Sequence, residues 1–191
     1  MTKHALQHTA RTAATTRMPE QPLQVVQFPC LDDNYGYLVH DPITGHTAAI
    51  DTPSGLAYRK QLRTQGWKLT HIFNTHHHHD HTAGNMTLKQ ASDDDNDVKI
   101  IGPAGERIPG IDTAVKAGDT VEFGGRTVQI LDASGHTKGH IAFYFSQDSL
   151  LYIGDCLFSL GCGRMFEGTP EQFWNSLLGI RQLPDDTLMY W

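Results

Sequence analysis

Cysteine is scarce in this chain, with only Cys30, Cys156 and Cys162 in 191 residues. An odd, small number in a chain of ordinary domain size gives no disulfide framework and fits a reducing compartment, the cytoplasm first and the mitochondrial matrix as the alternative. No apolar run approaches the roughly 20 residues that span a bilayer, so the sequence reads as soluble, with no membrane partner. Basic clusters are missing too: 15 Lys and Arg stand against 21 Asp and Glu, a formal net charge of -6. Nucleic acid would need a basic footprint, so it is excluded as the main partner, and nuclease chemistry with it. What remains is a chain long enough for one sizeable core, read as a monomer acting on a small molecule.

Histidine, by contrast, is concentrated. Thr75-His76-His77-His78-His79-Asp80-His81 follows the apolar, strand-like run Leu69 to Asn74 and leads into a helix-like segment, Thr82 to Gln90. A terminal tag would have linker on its flanks instead. Neutral imidazoles and carboxylates are the usual ligands of zinc and its neighbours. Alternation along an extended chain end would point His76, His78 and Asp80 one way, with His81 reaching a second position, so that one loop serves two metal ions. His77 and His79 would then turn away. Two further ligand-type residues follow strand-like stretches: His136, in Gly135-His136-Thr137-Lys138-Gly139-His140 after Thr127 to Leu131, and Asp155 after Leu150 to Ile153. Strand ends are where rigid scaffolds present functional side chains. His140 reads as a hydrogen-bonding neighbour of the ligands, His71 as structural, and Cys156 and Cys162 as small buried packing residues.

Residues Met1 to Met18 carry Lys3, Arg11 and Arg17 and no acidic group, which resembles a mitochondrial transit peptide. Lacking an apolar helical face, residues 1–22 read instead as a disordered polar leader, with one domain over 23–191. Leu23 to Phe28, Tyr35 to Val39 and Thr47 to Ile50 predict an antiparallel opening of three short strands. A helix from about Ser54 to Gln65 should bury Leu56, Ala57 and Leu62 and stop at Gly66. Ser92 to Asp97 predicts a solvated loop before a strand at Val98 to Ile101. Hairpins are expected around Gly124-Gly125 and around Ser146 to Ser149. Thr169-Pro170-Glu171-Gln172 has the form of a capping box opening a helix, with Phe173, Trp174, Leu177, Leu178 and Ile180 as its apolar stripe. Many hairpins with interspersed helices predict an α+β protein, a two-sheet sandwich with helices on its outer faces.

With His76, His78, Asp80, His81, His136 and Asp155 in this order, the chain resembles the metallo-β-lactamase superfamily, which implies an αββα sandwich of two mixed sheets flanked by helices. From about Leu23 to its end it resembles glyoxalase II, the hydroxyacylglutathione hydrolases, in Leu31-Asp32-Asp33-Asn34-Tyr35, Gly154 to Phe158 and above all Gly161-Cys162-Gly163-Arg164-Met165-Phe166-Glu167-Gly168-Thr169. That resemblance implies two divalent metal ions, zinc first, with iron or manganese also compatible. It implies His76, His78 and His136 on one metal, Asp80 and His81 on the other, and Asp155 between them. Asp80 would also orient the nucleophile. The implied substrate is a glutathione thioester such as S-lactoylglutathione, cleaved to a hydroxy acid and glutathione in methylglyoxal detoxification, with Arg164 and Phe166 touching glutathione. Phe166 stands where some members have tyrosine, and Ala133-Ser134 where Thr-Pro is common.

The resemblance also implies a last histidine ligand two residues beyond Trp191 and a helical C-terminal domain. Neither is in the 191 residues, so the chain is expected to be truncated at its C-terminal end, with one metal under-coordinated and activity weak or absent. Two other readings follow: a mononuclear-iron persulfide dioxygenase, whose relatives carry a different stretch at Gly163 to Gly168, and a metal-binding remnant without activity.

Overall fold

A computed structural model describes residues 21–91 and 97–191. Residues 1–20 of the expected polar leader and most of the expected loop at Ser92 to Asp97 lie outside the described residues.

The first sheet has six strands in chain order: β1 (Gln24–Cys30), β2 (Asn34–His40), β3 (Thr47–Ile50), β4 (His71–Phe73), β5 (Lys99–Pro103) and β6 (Thr113–Val115). Its opening β1-β2-β3 is antiparallel, as the hairpin signals predict, and β3 to β6 run parallel. The second sheet orders β7 (Thr120–Phe123), β8 (Arg126–Asp132), β9 (Ile141–Phe145), β10 (Leu150–Tyr152) and β11 (Leu188–Tyr190) as β11-β10-β9-β8-β7. It is antiparallel except for the β10–β11 pair. Both sheets are therefore mixed. The sequence signals gave no warning of β6 and β11, three-residue strands with too few positions to show alternation.

Strand residues alternate between two cores because successive side chains point to opposite faces. Tyr37, Val39, Ile50, Phe73, Ile101, Val128, Ile130, Phe143, Phe145 and Tyr152 meet between the sheets. Leu38, Ala49, Ile72 and Ile100 face outward, against Tyr58 and Leu62 of α1 (Gly55–Gln65). On the other sheet Ala142, Tyr144 and Leu151 face Phe173, Leu177 and Ile180 of α4 (Pro170–Ile180). The layers are thus αββα.

Local capping decides where these helices start. Ser54 accepts the Ala57 N–H, Gly66 closes α1 at φ 70°, and Thr169 with Gln172 forms the reciprocal capping box with Pro170 in the first turn. The faces differ from expectation. Leu56 is 72% exposed and Tyr58 fully buried. The Tyr58 hydroxyl donates to Ile50 O at 2.8 Å and accepts the Tyr37 N–H at 2.9 Å, fixing the rotation of α1 on the sheet. On α4, Trp174 and Leu178 are exposed while Phe173 is buried, so the buried stripe is narrower than the apolar one.

The helix expected over Thr82 to Gln90 is broken into α2 (His79–Thr82) and α3 (Asn85–Gln90). The cause is Gly84, whose N–H reaches Thr52 O at 2.7 Å; a Cβ there would lie 2.7 Å from Gly55 N. The chain bends to let the two backbones touch.

At one end of the sandwich Arg126, fully buried, joins Asp41 at 3.1 Å and Asp148 at 2.6 Å. The histidines gather at the opposite end, beyond the C-terminal ends of β4, β8 and β10.

Candidate metal centre

Three loops supply the centre. His76 and His78 follow β4, His136 and His140 lie between β8 and β9, and Asp155 sits in the 3-10 turn Gly154–Cys156 after β10. The His76 Nε2 and His136 Nε2 atoms lie 3.1 and 2.9 Å from His78 Nδ1. Their other nitrogens fix the tautomers. Thr75 Oγ1 donates to Asp51 at 2.8 Å and so accepts from His76 Nδ1 at 3.0 Å; His136 Nδ1 donates to the Arg164 carbonyl at 2.6 Å. Both Nε2 atoms therefore present lone pairs towards the third imidazole. Three ring nitrogens facing one point with at most one proton among them suit a cation, not a hydrogen-bonded cluster. Burial, with the neighbouring imidazoles, holds His76 well below the ordinary histidine pKa, and burial together with His136 lowers His78. Both are kept in the neutral, ligating form.

The second group is His81 with Asp155. His81 Nδ1 donates to Asp51 Oδ2 at 2.9 Å, while its buried Nε2 makes no hydrogen bond and faces Asp155 Oδ1 at 3.2 Å and Asp80 Oδ2 at 3.6 Å. Burial alone would lower the His81 pKa, but Asp51 and Asp155 outweigh it and hold it up at about 10. The pair of carboxylates draws positive charge to this spot. Asp155 stands between the groups, with Oδ2 3.3 Å from His136 Nε2 and Oδ1 towards His81. Burial opposes its charge; His81 and His136 overcome this and lower its pKa. Ligand atoms of His76, His78 and His136, and of His76, His81 and Asp155, each lie within 4.8 Å of one another. Both groups have the donor set for a divalent metal.

Asp80 is placed differently from expectation. Strand β4 ends at Phe73, the chain bends at Thr75 and His76, and Asp80 and His81 ride the helical turn α2, so strand alternation does not carry Asp80 to the same side as His76 and His78. Its side chain is 52% exposed at the mouth and accepts from Asn34 Nδ2 at 3.3 Å. His79 is exposed and His77 half-buried between Glu106 and Glu167. His140, stacked on His76, accepts the Asp155 N–H at Nε2, 3.2 Å away, and burial pushes its pKa down to about 3.

The run Gly161 to Thr169 wraps the centre through its backbone. Gly163 N–H reaches Asp155 O at 2.9 Å, and a Cβ there would lie 2.2 Å from the same oxygen. Phe166, 63% exposed, sets its ring 5.5 and 5.3 Å from those of His78 and His136. The Arg164 side chain is exposed. Cys162, expected to be buried, is also exposed, because the loop turns Gly163 inward; Cys156 is buried as expected. Beside His81 and Asp155 opens a cleft of about 400 Å³, lined by Asn34, Tyr35, Asp80, Phe158, Tyr190 and Trp191 among others.

Asp51 is a site residue that the motifs did not single out. It takes the left-handed conformation (φ 48°) just past β3 and accepts from Thr75 N, Thr75 Oγ1 and His81 Nδ1 at 2.8–2.9 Å. A ligand-type residue just past a strand end, the signal used for His136 and Asp155, was present in Ile50-Asp51 and would have found it. No helix among the described residues is long and apolar enough to cross a membrane.

The chain is 51% identical over 169 residues to a hydroxyacylglutathione hydrolase of Erythrobacter litoralis, covering 88% of this chain and 66% of that protein. It is 52% identical over 170 residues to one of Hyphomonas neptunium, covering 88% and 65%. It thus spans about two thirds of the length of the curated relatives it matches. Among solved structures it is similar to ETHE1 from Myxococcus xanthus, with TM-score 0.76 and 28% identity over 89% of this chain and 74% of that one. The family model of the metallo-beta-lactamase superfamily matches residues 34–190, which carry both ligand groups and all but the first strand, and the chain belongs to that superfamily.

Proposed function

We propose that the protein is the metal-bearing part of a glutathione thioester hydrolase, cleaving S-lactoylglutathione or a similar thioester to a hydroxy acid and glutathione. The observation that carries this reading is the Gly161 to Thr169 run, which marks the hydroxyacylglutathione hydrolases and here lies directly on His136 and Asp155. Relatives bearing that name at about half identity support it.

His76, His78 and His136 would hold one divalent ion, His81 and Asp80 a second, and Asp155 both, with zinc as the first candidate for such a His/Asp set. Ions bound there supply Lewis acidity, polarising a thioester carbonyl and acidifying water to a pKa of about 7. The chain's own residues do the rest. Asp80, at the mouth of the cleft, orients the attacking water and accepts its proton. Phe166 packs against the substrate beside His78, and the exposed Arg164 meets a glutathione carboxylate. Thiolate leaves readily, so no general acid is required of the protein. The free, exposed Cys162 supports a reducing location, the cytoplasm, for a monomer acting on a small molecule and not on nucleic acid or membrane.

Zinc-loaded protein incubated with S-lactoylglutathione, with free thiol followed over time, tests the proposal. Thiol release above the metal-free control supports it. Metal binding with no release would favour a remnant, and oxygen consumption with an iron-loaded sample and glutathione persulfide would favour the dioxygenase reading.

A further inference from the structure

Glu106 follows β5 and belongs to none of the motifs, yet its side chain is only 3% exposed. A buried carboxylate is costly unless hydrogen-bonded. Its Oε2 lies 2.9 Å from His77 Nδ1, and its Oε1 accepts from Thr137 Oγ1 and from Gly139 N at 3.0 Å. His77 is one residue from both His76 and His78, Thr137 is one residue from His136, and Gly139 is one residue from His140. Gly139 is shaped to admit it: a Cβ there would lie 2.7 Å from Glu106 Cγ. Glu167 repeats the arrangement from outside, with Oε1 3.3 Å from His77 Nε2 and Oε2 accepting the Lys138 N–H at 3.1 Å.

The geometry matters because the loops belong to different sheets. His76 to His78 continue β4 of the six-stranded sheet, whereas His136 to His140 join β8 and β9 of the other. Strand pairing does not set one loop relative to the other. A backbone bond from Ile141 N to Thr75 O links them at 3.0 Å, and Glu106 adds the side-chain link on the far flank of the histidines.

We propose that Glu106 is a positioning residue, a buried carboxylate that clamps the His76–His78 loop to the His136 loop and sets the spacing of the three ring nitrogens. The inference rests on reading those three histidines as ligands of one metal. Groups that orient metal ligands typically contribute 10–100-fold in affinity, and that is the loss expected here.

The test measures zinc affinity by competition with a chromophoric chelator, and melting of each metal-free protein, for wild type, Glu106→Ala, Glu106→Gln, Thr137→Val and His136→Ala. Glu106→Ala should bind zinc about 10–100-fold more weakly. Glu106→Gln should recover most of the loss, because its amide keeps an oxygen for Thr137 and Gly139 and offers an N–H to His77. If Glu106→Ala does not fold, Thr137→Val, which removes one clamp bond at constant volume, should still weaken zinc binding measurably. Wild-type affinity in Glu106→Ala or in Thr137→Val, even with a lower melting temperature, would overturn the proposal and leave Glu106 merely structural. A Gln variant no better than Ala would overturn it too. If His136→Ala binds zinc like wild type, the ligand reading itself falls and Glu106 with it; if His136→Ala loses zinc while the Glu106 variants do not, only the positioning role is lost.

Discussion

Replacing Asp51 by asparagine should weaken the metal group around His81 without disturbing the backbone. Asparagine tolerates the left-handed conformation at this position as well as aspartate does, so the effect is confined to the side chain. Asp51 Oδ1 accepts from Thr75 N, and Oδ2 accepts from both Thr75 Oγ1 and His81 Nδ1. An amide has one oxygen. With that oxygen on Thr75 N, its NH₂ faces the His81 Nδ1–H and a Thr75 hydroxyl that can turn to accept; flipped, the NH₂ faces the Thr75 N–H. For the neutral His81 that metal binding requires, the least costly arrangement is then to accept at Nδ1 and keep the proton on Nε2. That proton then points at Asp155 and Asp80, where a cation should sit.

Three hydrogen bonds to a charged acceptor, each contributing roughly 1.5–3 kcal/mol, become neutral or are lost, a net cost of about 3 kcal/mol. For a domain of this size that lowers the melting temperature of the metal-free protein by roughly 6–12 °C. Affinity of the His81 group for zinc should drop by about 10–100-fold. Calorimetry of metal-free protein and a two-site chelator competition measure the two effects separately. An Asp51→Asn variant that melts lower but keeps both zinc affinities would refute the tautomer argument, since the His81 proton would then have no bearing on metal.

Asp155→Ala should abolish binding of at least one metal, because two cations would face each other without the carboxylate between them; elemental analysis checks this, and two retained metals would make Asp155 structural. Arg164→Ala should raise KM for a glutathione thioester more than it lowers kcat, since a charge touching the remote tripeptide contributes uniform binding. Its zinc affinity should stay put, because His136 is held by the Arg164 carbonyl and not by its guanidinium. Burial opposes the charge of Asp41, but hydrogen bonds from Thr44 and Ile43 and the Arg126 guanidinium outweigh it and hold its pKa below the ordinary 3.8. Its contribution is therefore present above pH 3.8 and lost as pH falls through the lower folded value. Acid unfolding of Asp41→Asn should show a flatter pH dependence below about pH 4 than wild type, and identical slopes would contradict this.

What the sequence determined by itself was local in origin. The capping box at Thr169 to Gln172, Ser54 and Gly66 at the ends of α1, and strand alternation each act within a few residues, so the residues alone display them. The histidine and aspartate motifs were legible for a similar reason: few ordinary roles need six such residues at strand ends in that order. The tertiary structure decided everything that depends on a distant partner. Leu56 is apolar yet faces solvent because Tyr58 locks α1 to β2 and β3. Asp80 leaves the extended line because α2 begins at His79. Arg126 is buried because Asp41, 85 residues away, and Asp148 pair with it. Asp51 is brought to His81 by the parallel pairing of β3 with β4, and Glu106 is brought to both histidine loops by the meeting of the two sheets, because a hydrogen bond is set by position in space and not along the chain.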